Sequence, residues 1–179
     1  MDKSLSADKH NLKEIRGIVF DVDGVLSPST IPLDAVTGMP VRMCNIKDGF
    51  ALQLAVKMGL KIAIITGADC EAIRARFGSL GITDIFTRAG QKLPVLQQWA
   101  ADNKLSAKEI IFVGDDIPDY ESMLYAGISV APADAAAEII EVADVVVGMN
   151  GGHGVARIVV ENVLKAQGKW MSTAKAFGW

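Results

Sequence analysis

The segment IRGIVFDVDGV, residues 15–25, decides the architecture: a short apolar run ends in two aspartates one residue apart, followed by glycine. A run of this length is too short for a helix and reads as a buried strand. Runs of the same kind recur at Lys61 to Ile65, Ile110 to Val113, Gly127 to Val130 and Asp144 to Val147. Between them the apolar spacing turns helical. Ala51, Leu54, Ala55 and Met58 share one face, as do Leu93, Leu96 and Ala100, and Val155, Ile158, Val159, Val163 and Ala166. Alternating strands and helices predict an α/β fold of three layers, Rossmann-like, with a mostly parallel sheet.

One stretch interrupts the alternation. Residues 31–45 carry β-rich ends (Ile31, Val41, Met43) around Thr37-Gly38, which predicts a β-hairpin projecting after the first strand. Residues 168–179 leave the helical pattern and read as a tail. With no repeat, linker or shift in composition, the 179 residues are expected to form a single domain over 1–179, with its core at about 15–167. There are 18 basic and 21 acidic side chains, a net charge of −3 without long like-charge blocks, so neither nucleic acid nor a membrane surface is an expected partner. No apolar run approaches the roughly 18 residues that would span a bilayer. Cys44 and Cys70 stand apart from any metal-ligand spacing and read as buried thiols in a reducing cytoplasm.

In an open parallel sheet, the loops leaving the carboxyl ends of the strands build the site. Four polar signals fall there: Asp21-Val22-Asp23-Gly24, Thr66-Gly67, Gln91-Lys92, and Gly114-Asp115-Asp116 with Asp119 beyond. Crowded carboxylates repel unless a cation lies among them, and hard oxygen ligands suit Mg²⁺. Asp21 and Asp115 are therefore the candidate side-chain ligands. Asp23 is placed to offer its backbone carbonyl to the metal and its side chain to proton transfer. A carboxylate, a hydroxyl, an ammonium and a divalent cation around one point suit phosphoryl transfer. Asp21 would attack phosphorus, forming an aspartyl phosphate, and Asp23 would protonate the leaving alcohol and then take a proton from water. Thr66 and the backbone N–H of Gly67 would hold phosphate oxygens, with Lys92 adding charge. Asp119 reads equally as a partner of metal-bound water or as a charge at a helix start.

DVDGV at 21–25, ITG at 65–67, Lys92 and VGDDxxD at 113–119, in that order, resemble the haloacid dehalogenase superfamily of phosphatases over about residues 15–167. Many members carry a cap domain after the first or third strand. Only 44 residues separate Asp21 from Thr66 and 25 separate Thr66 from Lys92, so no cap domain is expected. Within the superfamily the residues around Asn45-Ile-Lys-Asp-Gly49, together with GGHG at 151–154, are similar to the 3-deoxy-D-manno-octulosonate 8-phosphate (KDO 8-P) phosphatase family. That resemblance implies a homotetramer assembled through the hairpins, with a neighbouring chain helping to cover the active site. It also implies substrate contacts from Asn45, Lys47, Asp48, Gly49 and Arg76, and a phosphorylated sugar acid as the small-molecule substrate.

The departures fall on specificity. The family pattern has arginine where this chain has Gln53, Ala68 and His153. Bidentate arginines are the usual holders of a carboxylate, so Arg42, Lys47, Arg74 and Arg157 become the cations to consider in their place. A relative acting on nine-carbon sialic-type acid 9-phosphates has glutamate after ITG, which Ala68 does not match either. Two other readings stand beside the phosphatase: a non-catalytic, tetramerising module of the same fold, and a phosphoacceptor receiver domain. Retention of both DxDG carboxylates weighs against the first, and their position after the first strand against the second. Trp99 and Phe77 fit core faces, whereas Trp170 and Trp179 are candidates for an intersubunit anchor.

Overall fold

The computed structural model describes residue 5 and residues 10–178. Six strands form one parallel sheet: β1 (Gly17–Phe20), β2 (Lys61–Ile65), β3 (Asp84–Phe86), β4 (Ile110–Val113), β5 (Ile128–Ala131) and β6 (Val145–Val146). Their spatial order is β3-β2-β1-β4-β5-β6. The chain winds outward from β1 in one direction and then from β4 in the other, so the order reverses between these two strands. Carboxyl ends at such a reversal leave a crevice.

Side chains alternate across the sheet, and both faces are covered. Ile18 and Phe20 of β1, Ile62 and Ile64 of β2, and Ile111 and Val113 of β4 pack on one side. That side is covered by α1 (Ile46–Lys57), α2 (Glu71–Gly78) and α6 (Val155–Ala166). Val19, Ala63, Ile65, Ile110 and Phe112 point to the other side. There they meet α3 (Lys92–Asp102), α4 (Tyr120–Tyr125) and α5 (Ala137–Val142). A strand buried on both faces needs continuous apolar sequence, which is why these runs lack a polar beat. Trp99 is buried as expected, and its indole N–H donates to Asp84 Oδ2 at 2.7 Å, tying α3 to the edge strand β3. Phe77 is buried too.

The sequence reading missed β3, whose three residues are all half-buried and whose polar Asp84 hides the pattern. The projecting β-hairpin is present in a minimal form. Residues 31–45 turn back at Asp34–Gly38 with one antiparallel bridge pair, Leu33 with Pro40, flanked by backbone bonds from the Asp34 N–H to the Met39 carbonyl at 2.8 Å and from the Val41 N–H to the Pro32 carbonyl at 2.9 Å. Pro32, without an N–H, does not return a second bond to Val41, and the pairing stays short of a full strand. Asp34 instead organises the turn, with Oδ1 accepting from the N–H groups of Val36 and Thr37 at 3.1 and 2.7 Å. The cysteines are less buried than expected: both are free thiols, Cys44 exposed and Cys70 partly so.

The segment after α6 folds back on its own chain. Trp170 meets Phe50 edge-on at 6.3 Å, and the Arg157 guanidinium lies 4.6 Å from the Trp170 ring. Ala176, in a 3₁₀ turn over Ala174–Phe177, is buried against the core. Trp170 is thus held within the chain; Trp179 lies outside the described residues. No helix among the described residues is long and apolar enough to cross a membrane.

Leu96, fully buried on α3, packs in the cluster that joins this layer to the sheet. Leu96→Ala is expected to destabilise the fold by about 2–5 kcal/mol through lost contacts and the cavity left behind, read as a lower urea midpoint at unchanged slope.

Candidate active site

The reversal between β1 and β4 brings the predicted residues together. Asp21 follows β1, Thr66 follows β2, Lys92 opens α3, and Asp115 lies just past β4. Together with Asp23, Gly67, Asp116 and Asp119 they line one cleft of about 490 Å³. Asp21, Asp115 and Asp119 each offer a carboxylate oxygen within 4.8 Å of the others. Lys92 lies among them, its Nζ 2.8 Å from Asp21 Oδ1 and 2.7 Å from Asp119 Oδ1.

Burial makes this cluster electrostatically severe. Asp21, Asp119 and Lys92 are 7, 0 and 4 % exposed, so water screens them little. Desolvation and the charge of Asp119 push Asp21 up to about 7, against the pull of Lys92. Asp115 is pushed up to about 8 by desolvation and then by Asp21 and Asp119. One ammonium does not balance three carboxylates. The remaining charge calls for a cation, and a specific atom is ready for it: Asp115 Oδ1 is buried without a hydrogen-bond partner.

Asp119, left between two readings by sequence alone, is the residue whose role the structure sharpens most. Both of its oxygens are engaged, Oδ1 with Lys92 and Oδ2 as acceptor from the Asp115 N–H at 3.0 Å. It fixes the ammonium and the Asp115 backbone together. The sequence signal was the spacing of VGDDxxD, which puts Asp119 in a 3₁₀ turn (Ile117–Asp119) that carries it back over Gly114. A Cβ on Gly114 would lie 2.5 Å from Asp119 Cβ, so the close approach needs glycine.

Two details around the cleft were not read from sequence. Asp23 is gripped by Arg42 of the 31–45 turn, with Nε on Oδ1 and Nη2 on Oδ2, both at 2.7 Å. Thr66 is buried, and its hydroxyl accepts from the Ala68 N–H at 3.1 Å, at the turn that leads to α2. An adjoining, mostly apolar cavity of about 390 Å³ has Val22 in one wall and is lined by both Arg42 and Arg76.

The residues expected on the substrate side are placed differently. Asn45, Lys47, Asp48 and Gly49 do not line the carboxylate cleft. Asn45 caps α1, accepting from the Lys47 N–H at 2.9 Å. Lys47 is exposed, while Asp48 and Gly49 are buried. A Cβ on Gly49 would lie 2.5 Å from Nη2 of Arg76, so these two residues touch across the helix pair. Of the positions where the family pattern has arginine, Ala68 lines the cleft, and His153 is exposed with Nδ1 on the Gly151 carbonyl.

Comparison with known proteins places this geometry. The sequence model of the haloacid dehalogenase-like hydrolases matches residues 57–159. The 3-deoxy-D-manno-octulosonate 8-phosphate phosphatase KdsC of Escherichia coli K12 is 34% identical over 157 residues, covering 88% of this chain and 83% of that protein. A probable yrbi family phosphatase from Pseudomonas syringae superposes with a TM-score of 0.88 at 33% identity, over 93% of this chain and 95% of its own. The Moraxella catarrhalis 3-deoxy-D-manno-octulosonate 8-phosphate phosphatase, solved with magnesium, phosphate and KDO, gives 0.84 at 30% identity, over 90% and 91%. With a carboxylate cluster at the β1/β4 reversal and relatives that match along most of its length, this chain belongs to the haloacid dehalogenase-like hydrolase family, and it is a phosphatase.

Proposed function

We propose that the chain is a Mg²⁺-dependent phosphomonoesterase acting on a small phosphorylated sugar acid, 3-deoxy-D-manno-octulosonate 8-phosphate or a close relative, through an aspartyl phosphate on Asp21. The observation that carries the reading is the buried carboxylate cluster around Lys92, with Asp115 Oδ1 unpartnered beside it. The magnesium, phosphate and KDO held by the Moraxella catarrhalis relative support the choice of metal and substrate.

Mg²⁺ prefers an octahedron of hard oxygens and keeps several waters. Asp21, Asp115 and the backbone carbonyl of Asp23 would hold it; Asp119, with both oxygens engaged, would not. When bound, the ion neutralises charge on the phosphate oxygens in the transition state. Asp21 attacks phosphorus with the carboxylate oxygen turned toward the cleft, while Lys92 holds the other and keeps the nucleophile aimed. Thr66 and the Gly67 N–H receive phosphate oxygens. Asp23 delivers a proton to the leaving alcohol and recovers one from the attacking water. To do so it must leave the guanidinium of Arg42, and the sugar acid's own carboxylate gives Arg42 a replacement partner, with Arg76 lining the same cavity.

The turn at 31–45 supports a homotetramer that shares its active-site cover. It exposes Leu33, Val36, Met39, Val41 and Met43, a concentration of apolar side chains that a solvated loop does not explain. Two free thiols, one of them exposed, support a reducing, cytoplasmic setting.

Replacing Asp21 by Asn should lower phosphate release roughly 1000-fold or more by removing the nucleophile, with an unchanged far-ultraviolet circular dichroism spectrum; turnover near wild type ends the covalent reading.

A pH prediction follows from the raised carboxylates. Asp21 at about 7 and Asp115 at about 8 sit above the ordinary 3.8, so the folded state holds their protons more tightly than the unfolded state. Their contribution to stability is complete below about pH 4 and disappears as pH rises through 7 to 8. In chelator, the melting temperature should therefore fall between about pH 4 and 8, and saturating Mg²⁺, which binds the ionised carboxylates of the folded state, should remove most of that fall. Asp48, pushed up to about 6 by burial, adds a metal-independent decline at lower pH. Light scattering at micromolar concentration is expected to give the tetramer mass, and Val36→Glu with Leu33→Glu to dissociate it.

A further inference from the structure

The motifs NIKDG at 45–49 and GGHG at 151–154 are bound to each other, and the pair lies directly behind the catalytic loop. Helix α6 begins with Gly154 at its N-cap, in the left-handed region at φ 110°, and glycine brings no side chain to cap the first turn. Asp48 of α1 supplies the cap across the helix pair: its Oδ1 accepts from the Arg157 N–H at 2.6 Å, in the first turn of α6. Asn45 adds a longer bond, Nδ2 to the Gly152 carbonyl at 3.4 Å. Asn45 thus holds the backbone of the second motif, and Asp48 holds the helix turn that directly follows it.

On its other side the glycine turn rests on the loop that carries Asp21 and Asp23. The Gly152 N–H donates to the Val25 carbonyl at 2.8 Å, and Asp134 Oδ1 accepts from the Gly151 N–H at 2.8 Å. A Cβ on Gly151 would lie 2.0 Å from the carbonyl oxygen of Gly24. Gly24 in turn stands against the metal end of the site. At φ 88° it is left-handed, and a Cβ there would lie 1.9 Å from Asp115 Oδ2. Turn, catalytic loop and Asp115 are therefore stacked backbone on backbone on carboxylate, with no flexible side chain between them to absorb a shift. Asp115 Oδ1 has no hydrogen bond to hold the group's orientation. Contact with Gly24 on one side and the backbone bonds of residue 115 on the other define where this carboxylate sits.

We propose that Asp48 is a positioning residue for the metal-binding end of the site, acting through the Gly151–Gly154 turn and Gly24 on Asp115, rather than a substrate contact. The inference deepens the phosphatase reading and rests on it for the identity of the metal. It assigns a role to a carboxylate that is 2 % exposed and absent from the lining of the cleft, which a substrate contact would have to reach. Loss of partners that orient a metal ligand typically weakens the metal about 10-fold or more.

The test compares Asp48→Ala and Asp48→Asn with wild type, each checked by thermal unfolding. Mg²⁺ affinity is measured by calorimetry at pH 7.5, and kinetics are measured on a small aryl phosphate and on a sugar-acid phosphate. Asp48→Ala should weaken Mg²⁺ by about 10-fold and lower kcat on both substrates by the same factor. Asp48→Asn keeps an acceptor for the Arg157 N–H and should recover most of both. Wild-type Mg²⁺ affinity in Asp48→Ala overturns the proposal. So does a rise in KM confined to the sugar-acid phosphate, the mark of a substrate contact. Should Asp48→Ala not fold, Asn45→Ala, which removes the bond to Gly152, must weaken Mg²⁺ in the same direction; unchanged affinity there is equally fatal. If wild type hydrolyses neither substrate, the phosphatase reading fails, and the calorimetry still decides the role of Asp48.

Discussion

Three buried carboxylates with a single ammonium among them set the terms for everything near the carboxyl edge of this sheet. Lys92 binds Asp21 and Asp119 at 2.8 and 2.7 Å, and Asp115 completes the cluster without a cation of its own. Buried charges of one sign cost several kcal/mol each to desolvate, so such a group is poor material for stability. It is tolerated because a divalent cation held by the carboxylates would offset their charge together with that gathering on the phosphate oxygens. The protein supports it with rigidity: two strands fixed in parallel register, Gly17 to Phe20 against Ile110 to Val113, bring Asp21 and Asp115 side by side.

Crowding explains where glycine is required. Gly24 and Gly114 lie where a Cβ would enter Asp115 or Asp119, within 2.6 Å of the carboxylate carbon in each case. The acidic cluster is thus packed against bare backbone. That arrangement couples the carboxylates to the position of the loops, as the stacked contacts behind Gly24 illustrate.

The parts of this design that were legible in sequence are those written locally. An apolar run followed by DVDG announces a buried strand and its chemistry in a few residues, and the parallel sheet follows from alternation. Lys92 and Thr66 were legible because topology alone carries them to the same edge. What stayed hidden depends on contacts between distant segments. Asp48 in NIKDG looks like a polar residue available to substrate, and only the approach of α6 shows that its oxygen is spent on Arg157. Arg42 had no visible partner until the 31–45 turn folded back on Asp23. Apolar ends around Thr37-Gly38 announce a hairpin, but its pairing is limited to the Leu33–Pro40 bridge and its flanking bonds, a shortness that periodicity does not report.

The division between buried machinery and exposed rim separates the residues proposed for catalysis from those that would set specificity. Every residue assigned to phosphoryl transfer lies in the cleft, held by elements the whole fold needs. Recognition of a sugar acid needs a further cation, and most cations near the rim are already engaged. Arg74 bonds the Ile85 carbonyl and Thr87, Arg88 pairs with Asp69, and Arg157 pairs with Glu161 beneath Trp170. Ala68 leaves the cleft wall itself uncharged. Arg76 lines the cavity beside Val22 together with Arg42, which is paired with Asp23 and belongs to the same apolar turn that the tetramer would use. On the proposed reading, specificity is tied to the segment least constrained by the core, which reaches the catalytic carboxylates through the Arg42–Asp23 pair.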